Sequence, residues 1–191
     1  MVGEFDDYQV LQALHRFPLE GRQVDLQFSY SQPYVNVVKE KIEPRQSSQS
    51  ILQLGYQFPC QYGDKDYFAL IVFNAMFGEF AHSALFTTLR EKEGLAYSIS
   101  SQFDIFTGLL EVYAGIEKSN RDQAMRGISR ELNYIKLGRF SSSLLNQTKK
   151  IIRMNALLSE DHALTLVEQR FNKVIFGDKS LSLENWLDEI E

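Results

Sequence analysis

The chain has 191 residues, of which 44% are hydrophobic and 24% charged, enough for one domain with a sizeable core. A net charge of −5 argues against a nucleic-acid or anionic-membrane surface, because both need clustered Lys and Arg. The single cysteine, Cys60, excludes an intramolecular disulfide, and no apolar run approaches the ~20 residues that span a bilayer.

Glu4, Asp6 and Asp7 open the chain with no apolar run behind them, so no signal-peptide pattern is present and the expected location is the cytoplasm. Residues 4 to 15 read as a short helix, with Tyr8, Leu11 and Leu14 in phase and Pro18 ending the segment. Val24, Leu26, Phe28 and Tyr30 alternate with polar residues as a half-buried strand does. Residues 34 to 38 read as a second strand or a loop, and the polar stretch 39 to 49, with Pro44, as a loop. Leu52, Leu54, Tyr56 and Phe58 alternate again, and Pro59 stops that strand.

Asp64 is expected to cap a helix running to about Phe77, apolar most of the way round and therefore buried on more than one side. A further helix is expected over His82 to Lys92. Strands over 95–103 and 109–116, joined at Phe106-Thr107-Gly108, form a hairpin. Helices follow, with expected caps at Ser119, Ser141 and Ser159 and stops at Gly138 and Gly177; a last one carries Leu183, Trp186, Leu187 and Ile190. Strands first and helices later indicate an α+β domain: an antiparallel sheet of about four to five strands with helices packed on one face.

The middle of the chain, Leu89-Arg90-Glu91-Lys92-Glu93-Gly94-Leu95-Ala96-Tyr97-Ser98, reads as helix, glycine stop, strand. Gly94 is expected at positive φ, where the chain reverses. Leu95, Tyr97 and Ile99 are expected on one side of the strand, with Ala96, Ser98 and Ser100 on the other. From chemistry alone, Arg90 complements a helix C-terminus and Tyr97 packs as a strand aromatic. Glu91 and Glu93 read as a solvated charge run, and Lys149, Lys150 and Arg153 as a solvated helix face.

That string resembles the signature of the second half-domain of pitrilysin-like, or insulinase-family, zinc metallopeptidases, which include mitochondrial processing peptidase. The likeness is specific over Leu89–Ser98 and looser from about Gln53 onward. It implies a non-metal half facing a zinc-bearing homologous half or paralogous subunit across a chamber, and a peptide substrate. Arg90 and Tyr97 then reach the substrate backbone, the guanidinium holding carbonyls and the phenol donating to a developing oxyanion. The resemblance also implies an excised half of a longer two-half protein.

The family's zinc half carries His-x-x-Glu-His on one helix. Here His15, His82 and His162 lie in three different elements, so no zinc site and no catalytic residue are expected in this chain, and zinc is expected only in the partner half. The sequence also departs from the family at Gly78-Glu79-Phe80-Ala81-His82-Ser83, where many members carry a Gly-rich turn, a small residue and Arg. A second reading is therefore an inactive member acting as a partner or scaffold subunit.

Overall fold

A computed structural model describes residues 3–18, 33, 35, 37–177 and 181–191. Helix α1 (Asp7–His15) is capped by Asp6, whose carboxylate accepts from the Tyr8 and Gln9 amides. Strand β1 (Ser50–Gln57) pairs antiparallel with β3 (Leu109–Ile116), which pairs on its other side with β2 (Ala96–Asp104). The order is β1-β3-β2, three strands among the described residues, against an expected four to five. The strand expected over Val24–Tyr30 lies outside the described residues, and Val35, Val37 and Val38 are not in a strand.

Alternation makes the sheet two-faced. Leu110, Val112, Ala114 and Ile116 of β3 and Ile99 of β2 point inward. They meet Met76, Phe77, Leu85, Leu89, Ala124, Ile128 and Ile135, so the helices cover that face, as expected for the α+β class. Helices α3 (Arg121–Lys136), α4 (Ser142–Ser159), α5 (Ala163–Phe176) and α6 (Leu183–Ile190) follow the sheet. Ile152 of α4 and Ile190 of α6 pack on Ala75, adding an outer layer. The other sheet face carries Ile51, Gln53 and Gly55 from β1, Glu111, Tyr113 and Gly115 from β3, and Ser98, Ser100 and Gln102 from β2. At its Gln57 end, Val35 donates its amide to Gln57 and Gln57 donates to the Pro33 carbonyl.

Several local expectations are corrected. Asp64 does not cap the buried helix; it accepts from the Gln61 amide at 2.8 Å and closes a turn. That helix, α2 (Tyr67–Asn74), begins three residues later and continues as a π-helical turn, Ala75–Glu79. The next helix begins at Ala84 and is π-wound over Phe86–Lys92, with His82 in the turn before it. Ser119 sits within a 3₁₀ turn, Lys118–Asn120, and does not cap α3; Ser159 is the last residue of α4, and the N-cap of α5 is His162. Ser141 does cap α4, accepting from the Leu144 amide at 3.1 Å. Lys149 and Arg153 are not merely solvated: both bond to Glu191, Arg153 at 3.2 Å.

Candidate functional site

The site is assembled where the second π-helix runs into β2. π-Winding closes each hydrogen bond over one more residue than an α-helix does, and such turns are rare and recur at functional sites. It also sets how this helix ends. The Glu93 amide bonds to the Thr88 carbonyl at 2.9 Å, and the Leu95 amide to the Leu89 carbonyl at 2.8 Å. Each bond reaches one residue further back than in an α-helical glycine stop. Gly94 stands between them at φ +61°, and a Cβ there would meet nothing within 4 Å. Glycine is required at this point by backbone conformation and not by space.

Arg90 is exposed on the last π turn, with its guanidinium 4.5 Å from the centre of the Phe86 ring. That stacking holds the side chain along the helix, and among the described residues its guanidinium makes no ion pair or side-chain hydrogen bond. The turn beneath it is fixed from α3. Arg130 donates to Glu93 at 2.6 Å and to the buried Glu131 at 3.1 Å, so Glu93 is an ion-pair partner rather than part of a solvated run. A Cβ on Gly127 would lie 3.2 Å from Leu89 Cδ2, so α3 approaches the π-helix closely.

Tyr97 is 52% exposed. The expected strict alternation is broken here: Ala96 pairs with Ile116 but Ser98 with Gly115, leaving Tyr97 as the extra residue of a β-bulge. The bulge turns Ala96 and Ile99 both inward and Tyr97 and Ser98 both outward. Tyr97 is not a packed aromatic. Its hydroxyl donates to Glu117 Oε1 at 2.5 Å, and that bond is the first cause raising the phenol pKa, so the group is a neutral donor at physiological pH. Both Arg90 and Tyr97 therefore present polar ends to solvent from the two sides of the Gly94 turn.

Sequence reasoning missed Glu117. Its parity with Glu111 and Tyr113 puts it on the open sheet face, but its meeting with Tyr97, twenty residues away, depends on the hairpin register and the bulge.

Upstream, Gly78 lies directly on β2: a Cβ would fall 2.6 Å from Ser101 Oγ and 2.8 Å from the Ser101 backbone nitrogen. Buried Ser101 donates to Asn74 Oδ1 at 2.8 Å, and Asn74 donates to Glu79 at 3.0 Å across the π turn. Glu79 as a residue is exposed, yet burial at its carboxyl raises its pKa, with the Asn74 bond opposing. The Glu79 and His82 side chains take different partners, because the chain goes extended at Phe80. His82 Nε2 lies 3.0 Å from buried Thr148 Oγ1, its ring stacks on Phe80, and burial lowers its pKa.

His15 ends α1 and His162 precedes α5. Among the described residues, no three His, Cys, Asp or Glu side chains are grouped so as to hold a metal ion. Buried Cys60 has its thiol pKa raised by burial and by Asp64 and Asp66, the reverse of an activated nucleophile. No helix among the described residues is long and apolar enough to cross a membrane.

The family model of the peptidase M16 inactive domain matches residues 9–152. The chain belongs to this family. The pitrilysin-like resemblance carried by Leu89–Ser98 is borne out, and the chain is of the inactive-domain type. A probable inactive metalloprotease of Bacillus subtilis (strain 168), YmfF, is 36% identical over 192 residues, covering 100% of this chain and 45% of its own length. A conserved protein of Enterococcus faecalis V583, known as a crystal structure, is 36% identical with a TM-score of 0.87, over 97% of this chain and 44% of that one. The M16 inactive domain from Pseudomonas fluorescens superposes with a TM-score of 0.63 at 22% identity, over 75% of this chain and 35% of that one, a likeness of fold. The chain thus spans less than half the length of YmfF and of the E. faecalis protein.

Proposed function

We propose that this M16 inactive domain is the substrate-binding half of a two-half peptidase assembly in the cytoplasm. It is completed by a homologous half or paralogous subunit that carries the zinc and the water-activating carboxylate. Arg90 and Tyr97 contact the peptide across the chamber between the halves. The observation that carries this reading is the solvent-facing presentation of both side chains on a turn whose geometry is held from behind by Arg130, Gly127 and Gly94. Rigid support with exposed polar ends is what a positioning site needs. The guanidinium offers donors to peptide carbonyls. The Tyr97 hydroxyl, which donates to Glu117 without substrate, turns to donate to a carbonyl oxygen when substrate displaces that exposed bond.

The test uses this chain paired with a zinc-bearing half. Arg90→Ala or Tyr97→Phe should leave folding intact and lower peptide turnover by ~100-fold, the scale of one lost oxyanion-directed donor. Because both act on one bound backbone, the two losses should not add. Full turnover by both variants would refute the assignment.

A second reading is favoured by one observation: the 36%-identical B. subtilis relative is described as a probable inactive metalloprotease. In that reading the domain stabilises a partner without chemistry. A wild-type assembly that never cleaves peptide, yet loses its partner's stability when this chain is removed, would select it.

A further inference from the structure

The open face of the sheet carries two phenol–carboxylate couples, and they are not equivalent. Tyr113 and Glu111 form one. Glu111 Oε1 accepts from Gln53 at 3.2 Å and Oε2 from Gln102 at 3.1 Å, while Gln53 also donates to the Tyr113 hydroxyl at 3.0 Å. Both Glu111 oxygens are therefore occupied by donors from the flanking strands. Tyr97 and Glu117 form the other. Glu117 Oε1 accepts from Tyr97, and among the described residues nothing donates to Oε2. The basic side chains near it in sequence do not neutralise it: Arg121 is committed to Glu40 and Asp122, and Lys118 makes no ion pair among the described residues. Between Tyr113 and Glu117 the strand carries Gly115, where a Cβ would stand 2.8 Å from the Ser98 hydroxyl. The Tyr97–Glu117 end of the face is exposed, and a carboxylate incompletely bonded among the described residues lies there beside a residue of the substrate-contacting turn.

We infer that Glu117 is a specificity-determining residue that reads a cationic side chain, lysine or arginine, of the peptide held by Arg90 and Tyr97. The inference rests on the substrate-binding reading above and adds to it the substrate class. The chemistry is complementary. When the Tyr97 hydroxyl turns to a substrate carbonyl, Glu117 loses the one donor it has among the described residues. A guanidinium or ammonium replaces the lost bond with a charge-assisted one. A neutral side chain leaves the carboxylate to water alone.

The test is fluorescence anisotropy of this chain with two labelled peptides, identical except that one bears lysine where the other has glutamine. Wild type should prefer the lysine peptide by about three- to fivefold at low salt, the scale of an exposed ion pair, and lose the preference as salt is raised. Glu117→Gln should abolish the preference, and Glu117→Lys should reverse it toward a glutamate-bearing peptide. Arg90→Ala should weaken both peptides alike. Tyr97→Phe should weaken both while the preference survives, because Glu117 keeps its carboxylate. If Glu117→Gln keeps the wild-type preference while Arg90→Ala still weakens both peptides, the inference fails and the substrate-binding reading stands. Failure of wild type to bind either peptide, or binding untouched by every substitution, overturns both.

Discussion

Gly78 is the tightest joint between the π-helical turn and the sheet, and replacing it with alanine gives a stability effect that can be worked from distances. An added Cβ would stand 2.6 Å from Ser101 Oγ, 2.8 Å from Ser101 Cβ and 2.8 Å from the Ser101 backbone nitrogen. Contacts under 3 Å with a backbone atom of a central packing layer cannot be relieved by a rotamer change alone. Overpacking of this kind costs ~1–3 kcal/mol. Moving Ser101 Oγ off Asn74, a buried 2.8 Å bond, adds ~1 kcal/mol. Alanine in place of a helical glycine recovers ~0.5–1 kcal/mol. The net is ~1–3.5 kcal/mol, or a fall in Tm of roughly 2–14 °C for a chain of this size. Thermal melting followed by far-UV circular dichroism measures it. The double variant Gly78→Ala with Ser101→Gly removes the clash with Oγ and Cβ but not the one with the nitrogen. It should be less destabilised than the sum of the single variants by at least ~0.5 kcal/mol, yet remain below wild type. A Gly78→Ala melting curve within about 1 °C of wild type, or strict additivity, would refute the reasoning.

Three further outcomes follow from the same geometry. Gly94→Val should destabilise by more than ~1 kcal/mol in urea unfolding through left-handed backbone strain, since a Cβ there meets no atom within 4 Å, while Gly94→Asn should cost much less because asparagine tolerates that conformation. Burial lowers the folded-state pKa of His82 below its unfolded value of ~6.5, so below that pH the unfolded chain binds more protons and the stability held above it is lost as pH falls. The urea midpoint of His82→Asn should accordingly fall less than wild type's between about pH 7.5 and about pH 5.5. Dialysis against zinc followed by elemental analysis should find no stoichiometric metal in this chain alone. Stoichiometric metal that disappears on replacing any one of the three histidines would contradict that.

Much of the fold was legible because its signals are local. Alternation from Leu109 to Ile116, bounded by Gly108, located β3 to the residue, and Ser141 marked the start of α4 through its own side-chain bond. The caps assigned to Asp64 and Ser159 failed for a physical reason: a side chain able to cap a helix can equally close a turn or end the preceding helix, and composition does not choose between them. π-Winding at Ala75–Glu79 and Phe86–Lys92 was invisible, since each stretch is too short for its wider period to register in the apolar spacing.

The site was half legible. Arg90 and Tyr97 were singled out by the motif, and Gly94 by the needs of a helix-to-strand reversal. The facing of Tyr97 was not legible, because the bulge exists only in the pairing of β2 with β3. Simple alternation placed Tyr97 beside Ile99, yet Ile99 is buried and Tyr97 is not. Glu117 and Arg130 were beyond reach for the same reason. Each acts on the turn through a contact between residues twenty or more positions apart, set by register and helix packing.

The central claim, that the Gly94 turn is a peptide-binding element, is tested most directly by photo-crosslinking. A peptide carrying a photoreactive side chain is irradiated with the wild-type chain and with the Arg90→Ala, Tyr97→Phe double variant, and the adducts are mapped by mass spectrometry. The account predicts adducts concentrated on Leu89–Ser98 and the adjoining open face of β3, and their loss in the double variant. Adducts of equal yield in both proteins, or adducts confined to the helical layers, would contradict it.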